Sequence, residues 1–240
     1  MKIIIIAGGL GTRISEETED KPKPMVLIND KPIIWHLMNI FSLQGFNEFI
    51  VSTGYKSEVI EKWVQGNEII DSKLNPMKIA TLNTGLNTQT GGRIAEVMKT
   101  IPGERVIATY GDGLANISIP KLLAFHESHG RLATVTAVRP PARFGYMKIE
   151  ENVVSHFGEK NQSDEGWING GFFVLEPEVK DFVETNQEPF ETGGLVRLSN
   201  QMQLMAYQHS GFWQPMDTLR EKKEHEKSAL DSTPPWVNFH

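Results

Sequence analysis

The sequence contains no cysteine in its 240 residues, so no disulfide staples the fold and no thiolate acts as nucleophile or metal ligand. Long apolar runs are also missing, since none approaches the roughly 18 apolar residues of a membrane-spanning helix. There is no excess of basic charge, because the formal net charge is −6 and gives no overall attraction to nucleic acid or an anionic membrane. We therefore expect a cytoplasmic protein that binds neither.

Short apolar runs alternate with helical patterns in the first half of the chain. KIIIIA, EFIVST, RVIATY and LATVTAV each predict a strand that is buried on both faces. Between them, Pro32 to Phe41 and Ile119 to His129 are amphipathic, with Gly45 and Gly130 as stop signals. This alternation predicts a Rossmann-like, doubly wound α/β fold with a mainly parallel sheet, which binds ligands at the carboxyl ends of its strands.

The pattern changes after about Arg139. YMKIE, VVSHF, GGFFVLE and LMAYQH predict short strands separated by turns, and a charged helix is expected from about Asp217 to Leu230. Because no long linker or repeat interrupts the sequence, we predict one domain over residues 1–240. The second half should add small β elements to a mixed sheet.

The first predicted strand runs directly into the glycine loop AGGLGTR. Glycines let backbone N–H groups approach a ligand closely, and Arg13, Lys21 and Lys23 follow, with a proline on each side of Lys23. This arrangement predicts a phosphate site. Neither a Walker loop, which needs Lys-Ser or Lys-Thr, nor the dinucleotide fingerprint, whose third glycine is replaced by Ile14, fits. A plain turn followed by a solvated charged loop is the alternative.

Two separate aspartates are candidates for a magnesium site. Asp112 follows the RVIATY strand between two glycines, and Asp217 precedes the predicted C-terminal helix. Mg²⁺ in phosphate chemistry commonly takes one or two carboxylates, with ligand phosphates and waters completing its octahedron. The alternatives are a tight turn at Asp112 and a helix N-cap at Asp217. His126 and His129, three residues apart, are interpreted as exposed polar surface rather than as metal ligands.

Motifs spread over essentially the whole chain resemble those of the sugar-1-phosphate nucleotidyltransferases. AGGLGTR followed by KPKPM is similar to the signature of that family, and SEET, TYGDG and GFWQPMDT resemble its cytidylyl-transferring branch. The resemblance implies Mg²⁺-dependent transfer of a cytidylyl group from CTP to glucose 1-phosphate, which gives CDP-glucose and pyrophosphate. It also implies a homo-oligomer, with a nucleotide-binding half in residues 1–138 and a sugar-binding half in residues 139–240.

The resemblance further implies roles for individual residues. Those that would bind the nucleotide are Gly8, Gly9, Gly11, Thr12, Arg13, Lys23 and Gly111. Those that would act in catalysis are Arg13, Lys23, Asp112 and Asp217, of which the two aspartates would hold the metal. Those that would bind the sugar phosphate are Gly145, Glu159, Lys160 and Asn169.

Two segments depart from the family pattern. Glu159 and Lys160 are followed by Asn161 in place of proline, and FETGGLVRL stands where a W-E-x-x-P-L segment is expected, with Gly193 and Gly194 expected to loosen a helix start. Because of these departures the sequence does not determine the identity of the sugar, whereas the predicted reaction type is unaffected. The alternatives are the same reaction with UTP, dTTP or another sugar 1-phosphate, or a nucleotide-sugar-binding regulatory module without turnover.

Overall fold

The structure, a computed structural model, describes residues 1–66, 76–140, 145–150, 152–159 and 166–239. The strands in these ranges are β1 Lys2–Ile6, β2 Leu27–Ile28, β3 Lys31–Pro32, β4 Glu48–Thr53, β5 Lys78–Asn83, β6 Val106–Tyr110, β7 Gly113–Ala115, β8 Ala133–Val138, β9 Gly145–Glu150, β10 Val153–Glu159, β11 Ile168–Asn169, β12 Phe173–Leu175, β13 Leu204–His209 and β14 Trp213–Pro215. The α-helices are α1 Ser15–Thr18, α2 Ile33–Ser42, α3 Ser57–Gln65, α4 Thr90–Thr100, α5 Ile119–His129, α6 Gly194–Asn200 and α7 Leu219–Ser228. None of these helices is long and apolar enough to cross a membrane.

One mixed sheet forms the centre of the molecule. Strand β1 lies between β4 and β6 and is parallel to both, and β5 adds a further parallel strand beside β4. On the other side, β12 runs antiparallel between β6 and β8, β11 pairs with the far end of β8, and β13 is parallel to β8. The predicted α/β fold with a mainly parallel sheet is therefore confirmed.

Strand β1 is buried on both faces of this sheet, as predicted. Ile3 and Ile5 pack into one apolar cluster together with α2, whereas Ile4 and Ile6 pack into a second cluster together with α4 and α6. All four side chains are no more than 8% exposed. Helices on both faces therefore leave the ends of the strands as the accessible part of the sheet.

One of the two histidines of α5 differs from its predicted role. His126 is only 1% exposed, and its ring nitrogens lie 2.8 Å from Thr134 Oγ1 and 3.1 Å from Glu176 Oε1. The expectation of exposed polar surface is therefore wrong for His126, because the helix turns this residue onto strand β8. Among the residues that the structure describes, no group of three or more His, Cys, Asp or Glu side chains could hold a metal.

The helix start near Gly193 and Gly194 also differs from expectation. Helix α6 begins at Gly194, and a Cβ on Gly193 would overlap the Glu188 carboxylate, while one on Gly194 would lie 2.7 Å from the Phe190 ring. The two glycines therefore permit close packing of this helix against the preceding segment rather than loosening its start.

Arg93 of α4 connects three strand ends behind the glycine loop. Its buried guanidinium donates to the carbonyls of Gly8 at 2.9 Å and Thr53 at 2.8 Å, and to Thr84 Oγ1 at 2.7 Å. These acceptors lie at or just beyond the ends of β1, β4 and β5. A Cβ on Gly8 would lie 2.1 Å from this guanidinium, so the position requires glycine because of the close approach.

Gly8→Ala and Gly9→Ala form a matched pair that tests this connection. The Cβ of Gly8→Ala has to displace a buried, hydrogen-bonded guanidinium, and we expect the free energy of unfolding to fall by roughly 1 to 3 kcal/mol. Nothing lies within 4 Å of a Cβ on Gly9, so Gly9→Ala should change stability by less than about 0.5 kcal/mol. Urea unfolding measures both values, and equal losses would contradict this account of Arg93.

The C-terminal turn closes one side of the core with an aromatic cluster. Trp236, in the 3-10 turn Pro235–Val237, is 1% exposed, and its ring lies 5.7 Å from His225 and 6.1 Å from Phe212. His225 is fully buried there, and this burial lowers the pKa of its imidazole to about 4 from an ordinary value of 6.5. The folded protein therefore binds a proton at His225 less readily than the unfolded chain does.

This difference predicts a loss of stability in acid. The stabilising contribution of neutral His225 is fully present above pH 6.5 and is lost as the pH falls toward 4. The free energy of unfolding should decrease by about 2 kcal/mol between pH 7 and pH 4.5 on account of His225 alone. Denaturant unfolding of the wild type and His225→Leu at both pH values measures this. An unchanged pH dependence in the variant would refute it.

Candidate active site

The carboxyl ends of β1 and β6 lie side by side at one edge of the sheet. The backbone N–H of Gly111, directly after β6, donates to the carbonyl of Ile6 at the end of β1 over 3.0 Å. This pairing brings the glycine loop, which begins at Gly8, next to Gly111 and Asp112. Parallel strands place ligand sites at this edge, so the predicted phosphate loop and the predicted magnesium ligand Asp112 both lie in the expected place.

A two-stranded ribbon carries Asp217 to the same edge. Strand β14 is antiparallel to β7 and pairs Pro215 with Gly113, and the N–H of Met216 donates to the carbonyl of Asp112 over 2.8 Å. Asp217 is the next residue. The two aspartates, 105 positions apart in the sequence, are therefore neighbours because of backbone pairing.

Asp217 is not the N-cap of α7. That position belongs to Thr218, whose hydroxyl accepts from the N–H of Glu221, and the Glu221 carboxylate accepts in turn from the N–H of Thr218. Glu221 also accepts from the backbone N–H of Asp217 over 2.7 Å. This capping box leaves the Asp217 carboxylate available for other partners.

Lys23 joins the two aspartates. Its Nζ atom donates to Asp112 Oδ2 at 2.5 Å and to Asp217 Oδ1 at 2.6 Å, while Arg13 Nη1 donates to Asp217 Oδ2 at 2.7 Å. Lys23 is only 9% exposed, whereas Arg13 extends into solvent. The four predicted catalytic residues therefore form one connected cluster of two cations and two carboxylates.

The charge state of Lys23 follows from its neighbours. Burial lowers the pKa of the ammonium, but attraction to Asp112 and hydrogen bonds to both carboxylates outweigh this effect and raise the pKa above its usual value. Lys23 is therefore a cation at physiological pH. Lys21, the third cation of the sequence motif, lies outside this cluster, and its Nζ is 3.9 Å from Glu17 Oε2.

The glycine loop is held in place by Thr18. After the loop, Thr12–Ile14 forms a 3-10 turn, and the Thr18 hydroxyl donates to the carbonyl of Gly11 at 3.1 Å. Loop, cations and aspartates line a cavity of about 530 Å³, which is in the range of a nucleotide or cofactor site. The predicted site residues that line it are Gly9, Gly11, Thr12, Arg13, Lys23, Gly111, Asp112, Asn169 and Asp217.

The residues assigned to the sugar are described only in part. Asn169, at the end of β11, lines the cavity. Gly145 and Glu159 are the first residue of β9 and the last residue of β10, and the antiparallel register pairs them with each other. Lys160 lies outside the described residues.

Three further side chains in the cavity were not predicted to be site residues. Tyr110 ends β6, Thr90 begins α4, and Glu191 lies before α6. Tyr110 stands inside the matched motif TYGDG, and Glu191 is the retained acid of the departing FETGGLVRL segment. Thr90 begins the segment TGGR, which also resembles the family pattern. Their positions in these motifs are the signal that identifies them.

Among the residues that the structure describes, the cluster provides two carboxylates as ligands for a divalent cation and no third acidic or histidine ligand. Hard oxygen ligands are the donors that Mg²⁺ prefers, and two protein carboxylates are sufficient where substrate phosphates and waters supply the other ligands. The donor set therefore fits Mg²⁺ and does not fit a metal that requires nitrogen or sulfur ligands.

Comparisons with known proteins identify the family of the chain. The family model described as nucleotidyl transferase matches residues 2–218. The chain is 42% identical to a glucose-1-phosphate cytidylyltransferase of Salmonella typhi over the full length of both, and 40% identical to a probable one of Bacillus subtilis over 95% of each. A crystal structure of UDP-glucose pyrophosphorylase complexed with UDP-glucose, 18% identical, aligns over 95% of this chain and 97% of its own with a TM-score of 0.71, which supports the fold alone. The chain therefore belongs to the nucleotidyl transferase family.

Proposed function

We propose that this protein transfers a cytidylyl group from CTP to α-D-glucose 1-phosphate and releases pyrophosphate. The observation that carries the proposal is the convergence of Arg13, Lys23, Asp112 and Asp217 beside a glycine loop in one cavity. The choice of CTP and glucose 1-phosphate is supported by the two relatives named as glucose-1-phosphate cytidylyltransferases.

The reaction needs no general base in this site. A sugar 1-phosphate has a second pKa of about 6, so near pH 7 its phosphate is mostly a dianion and already a nucleophile. One of its oxygens forms a bond to the α-phosphorus of CTP while the bond from that phosphorus to the bridging oxygen of pyrophosphate breaks. The protein therefore has to align the phosphates and stabilise their charge.

Arg13 and Lys23 are the side chains suited to that task. Arg13 is exposed at the mouth of the cavity and can present a planar, bidentate donor to phosphate oxygens. Lys23 is held by flanking prolines in the 3-10 turn Lys23–Met25, so its ammonium has a defined position. Backbone N–H groups of the glycine loop add neutral donors that need no desolvation of charge.

Asp112 and Asp217 are proposed to hold Mg²⁺. When bound there, the ion supplies charge neutralisation to the transferred and leaving phosphates. In the structure the Lys23 ammonium occupies the position between these carboxylates. We infer that Lys23 exchanges its carboxylate partners for triphosphate oxygens when nucleotide and metal arrive together.

We also propose a cytoplasmic homo-oligomer built from single-domain subunits. One sheet takes strands from both halves of the chain, since β12 and β13 pair with β6 and β8, which supports a single domain over residues 1–240. Val196 and Met202 are exposed apolar side chains in the segment 184–203, which we propose as part of the subunit interface. Light scattering of the purified protein tests the oligomer.

A matrix of nucleoside triphosphates against sugar 1-phosphates tests the proposed function. Pyrophosphate release, measured with and without Mg²⁺, should be fastest for CTP with glucose 1-phosphate and should require the metal. Faster transfer from UTP or dTTP would show that the assigned nucleotide is wrong. Absence of turnover with every pair would favour the nucleotide-sugar-binding regulatory module instead.

Variants of Lys23 and Lys21 test the exchange of cations. Lys23→Met removes the ammonium that neutralises both carboxylates, so we expect the nucleotide-free protein to bind Mn²⁺ roughly tenfold more tightly, while CTP binding weakens. Electron paramagnetic resonance of free Mn²⁺ measures the affinity. Asp112→Asn and Asp217→Asn should each weaken Mn²⁺ binding.

The matched control is Lys21→Met, which removes the same charge two residues away but leaves the carboxylate pair untouched. Its Mn²⁺ affinity should equal that of the wild type. If Lys23→Met binds Mn²⁺ no more tightly than Lys21→Met, Lys23 does not compete with the metal for these carboxylates.

A further inference from the structure

A second polar cluster lines the same cavity and consists of Thr90, Tyr110, Asn169 and Glu191. The Tyr110 hydroxyl donates to Glu191 Oε1, the Asn169 amide Nδ2 donates to Tyr110 Oη at 3.0 Å, and the Thr90 hydroxyl donates to Glu191 Oε2 at 2.7 Å. Among the residues that the structure describes, no hydrogen bond links this cluster to Lys23 or Arg13. It is therefore a separate recognition element.

Glu191 is held rigidly by the start of α4. Thr90 Oγ1 accepts from the backbone N–H of Phe190 at 2.9 Å, and the N–H of Gly91 donates to the carbonyl of Glu188 at 3.1 Å. The Phe190 side chain is fully buried, with its ring 5.5 Å from that of Phe173. The backbone beside Glu191 is thus fixed by a buried anchor and by paired backbone groups.

The orientation of the Asn169 amide is fixed from both ends. Its Oδ1 accepts from the N–H of Gly171 at 2.9 Å, and its Nδ2 donates to Tyr110. Gly171 has a φ of 76°, and a Cβ there would lie 3.0 Å from the Tyr110 ring, so only glycine allows this turn against the ring. One N–H of the amide then remains for a ligand in the cavity, since the described residues provide no second acceptor for it.

The direction of the hydrogen bonds follows from the Glu191 carboxylate. A carboxylate only accepts, so the Tyr110 proton points to Glu191 and the Tyr110 oxygen turns a lone pair to Asn169. Every donor and acceptor in the chain is therefore assigned before a substrate arrives.

We infer that Glu191 is a positioning residue of the sugar subsite, which acts through Tyr110 to aim one Asn169 N–H at a hydroxyl of the sugar 1-phosphate. This inference rests on the proposed function. A site that fixes a polar donor in advance discriminates strongly against a substrate without the matching hydroxyl, because the donor is then left unpaired. Glu191 contributes specificity for the sugar and nothing to the phosphate chemistry.

Tyr110→Phe is the principal test, because it removes one hydroxyl and preserves the ring. We expect the KM for glucose 1-phosphate to rise roughly tenfold and the KM for CTP to stay within about twofold. Glu191→Ala should give a similar or larger effect, and Glu191→Gln, which retains an acceptor oxygen, should restore part of the loss. Initial rates with each substrate varied separately measure these changes.

Deoxy analogues of glucose 1-phosphate identify the hydroxyl concerned. For one of the 2-, 3-, 4- or 6-deoxy compounds, the wild type should lose roughly 10- to 100-fold in kcat/KM, and Tyr110→Phe should lose much less. Such a substrate-specific change distinguishes positioning from a general structural effect. Parallel changes with all four analogues would overturn the inference.

Glu188→Gln provides a matched control on the same segment. Glu188 is an acid that pairs with Arg197 and does not line the cavity, so its variant should change stability without altering the ratio of the two KM values. If Glu188→Gln and Tyr110→Phe raise both KM values equally, Glu191 only supports the fold. Failure of the wild type to use any sugar 1-phosphate would instead overturn the proposed function.

Discussion

The ammonium of Lys23, placed between Asp112 and Asp217, is the interaction on which the arrangement of the site depends. Three segments that are far apart in the chain meet at this one nitrogen. Two aspartates in a partly buried cavity would repel each other, and a largely buried lysine would lose its proton, unless each compensated the other. The cluster is stable because its positive and negative charges compensate each other. A polyphosphate and a divalent ion would also compensate each other, so the lysine could bind the polyphosphate while the aspartates bind the ion.

The central strands could be predicted because their signals are local. KIIIIA and the helix Ile119–His129 carry apolar patterns and end signals that need no tertiary information, and α5 has the predicted bounds. Helix α4 was missed because its Gly-Gly pair breaks helical propensity and makes sense only against the segment that packs on it. Burial of His126 likewise depends on the packing of α5 against strand β8, and no local pattern reveals that packing.

Within the site, residue types were predictable and their connections were not. The glycine loop and the cations suggested phosphate on chemical grounds, whereas the meeting of Asp112 and Asp217 follows from the β7–β14 ribbon, whose pairing is non-local. The hydrogen-bonded chain from Asn169 to Glu191 is similar, since its members come from four separate parts of the sequence. Of these residues, the resemblance assigned only Asn169 to the site, and only the fold shows which side chains share a hydrogen bond.

The hydrogen bonds of Arg93 have an electrostatic consequence. Its described acceptors are carbonyl and hydroxyl oxygens, and no described ion pair gives this guanidinium a carboxylate partner. Neutral acceptors compensate the desolvation of a cation without cancelling its charge. The Arg93 guanidinium therefore keeps its full positive charge beneath the glycine loop, where the dielectric constant is low. The electric field of this charge extends into the cavity. The net charge of the protein repels anions, but Arg93 attracts them locally, inside the cavity.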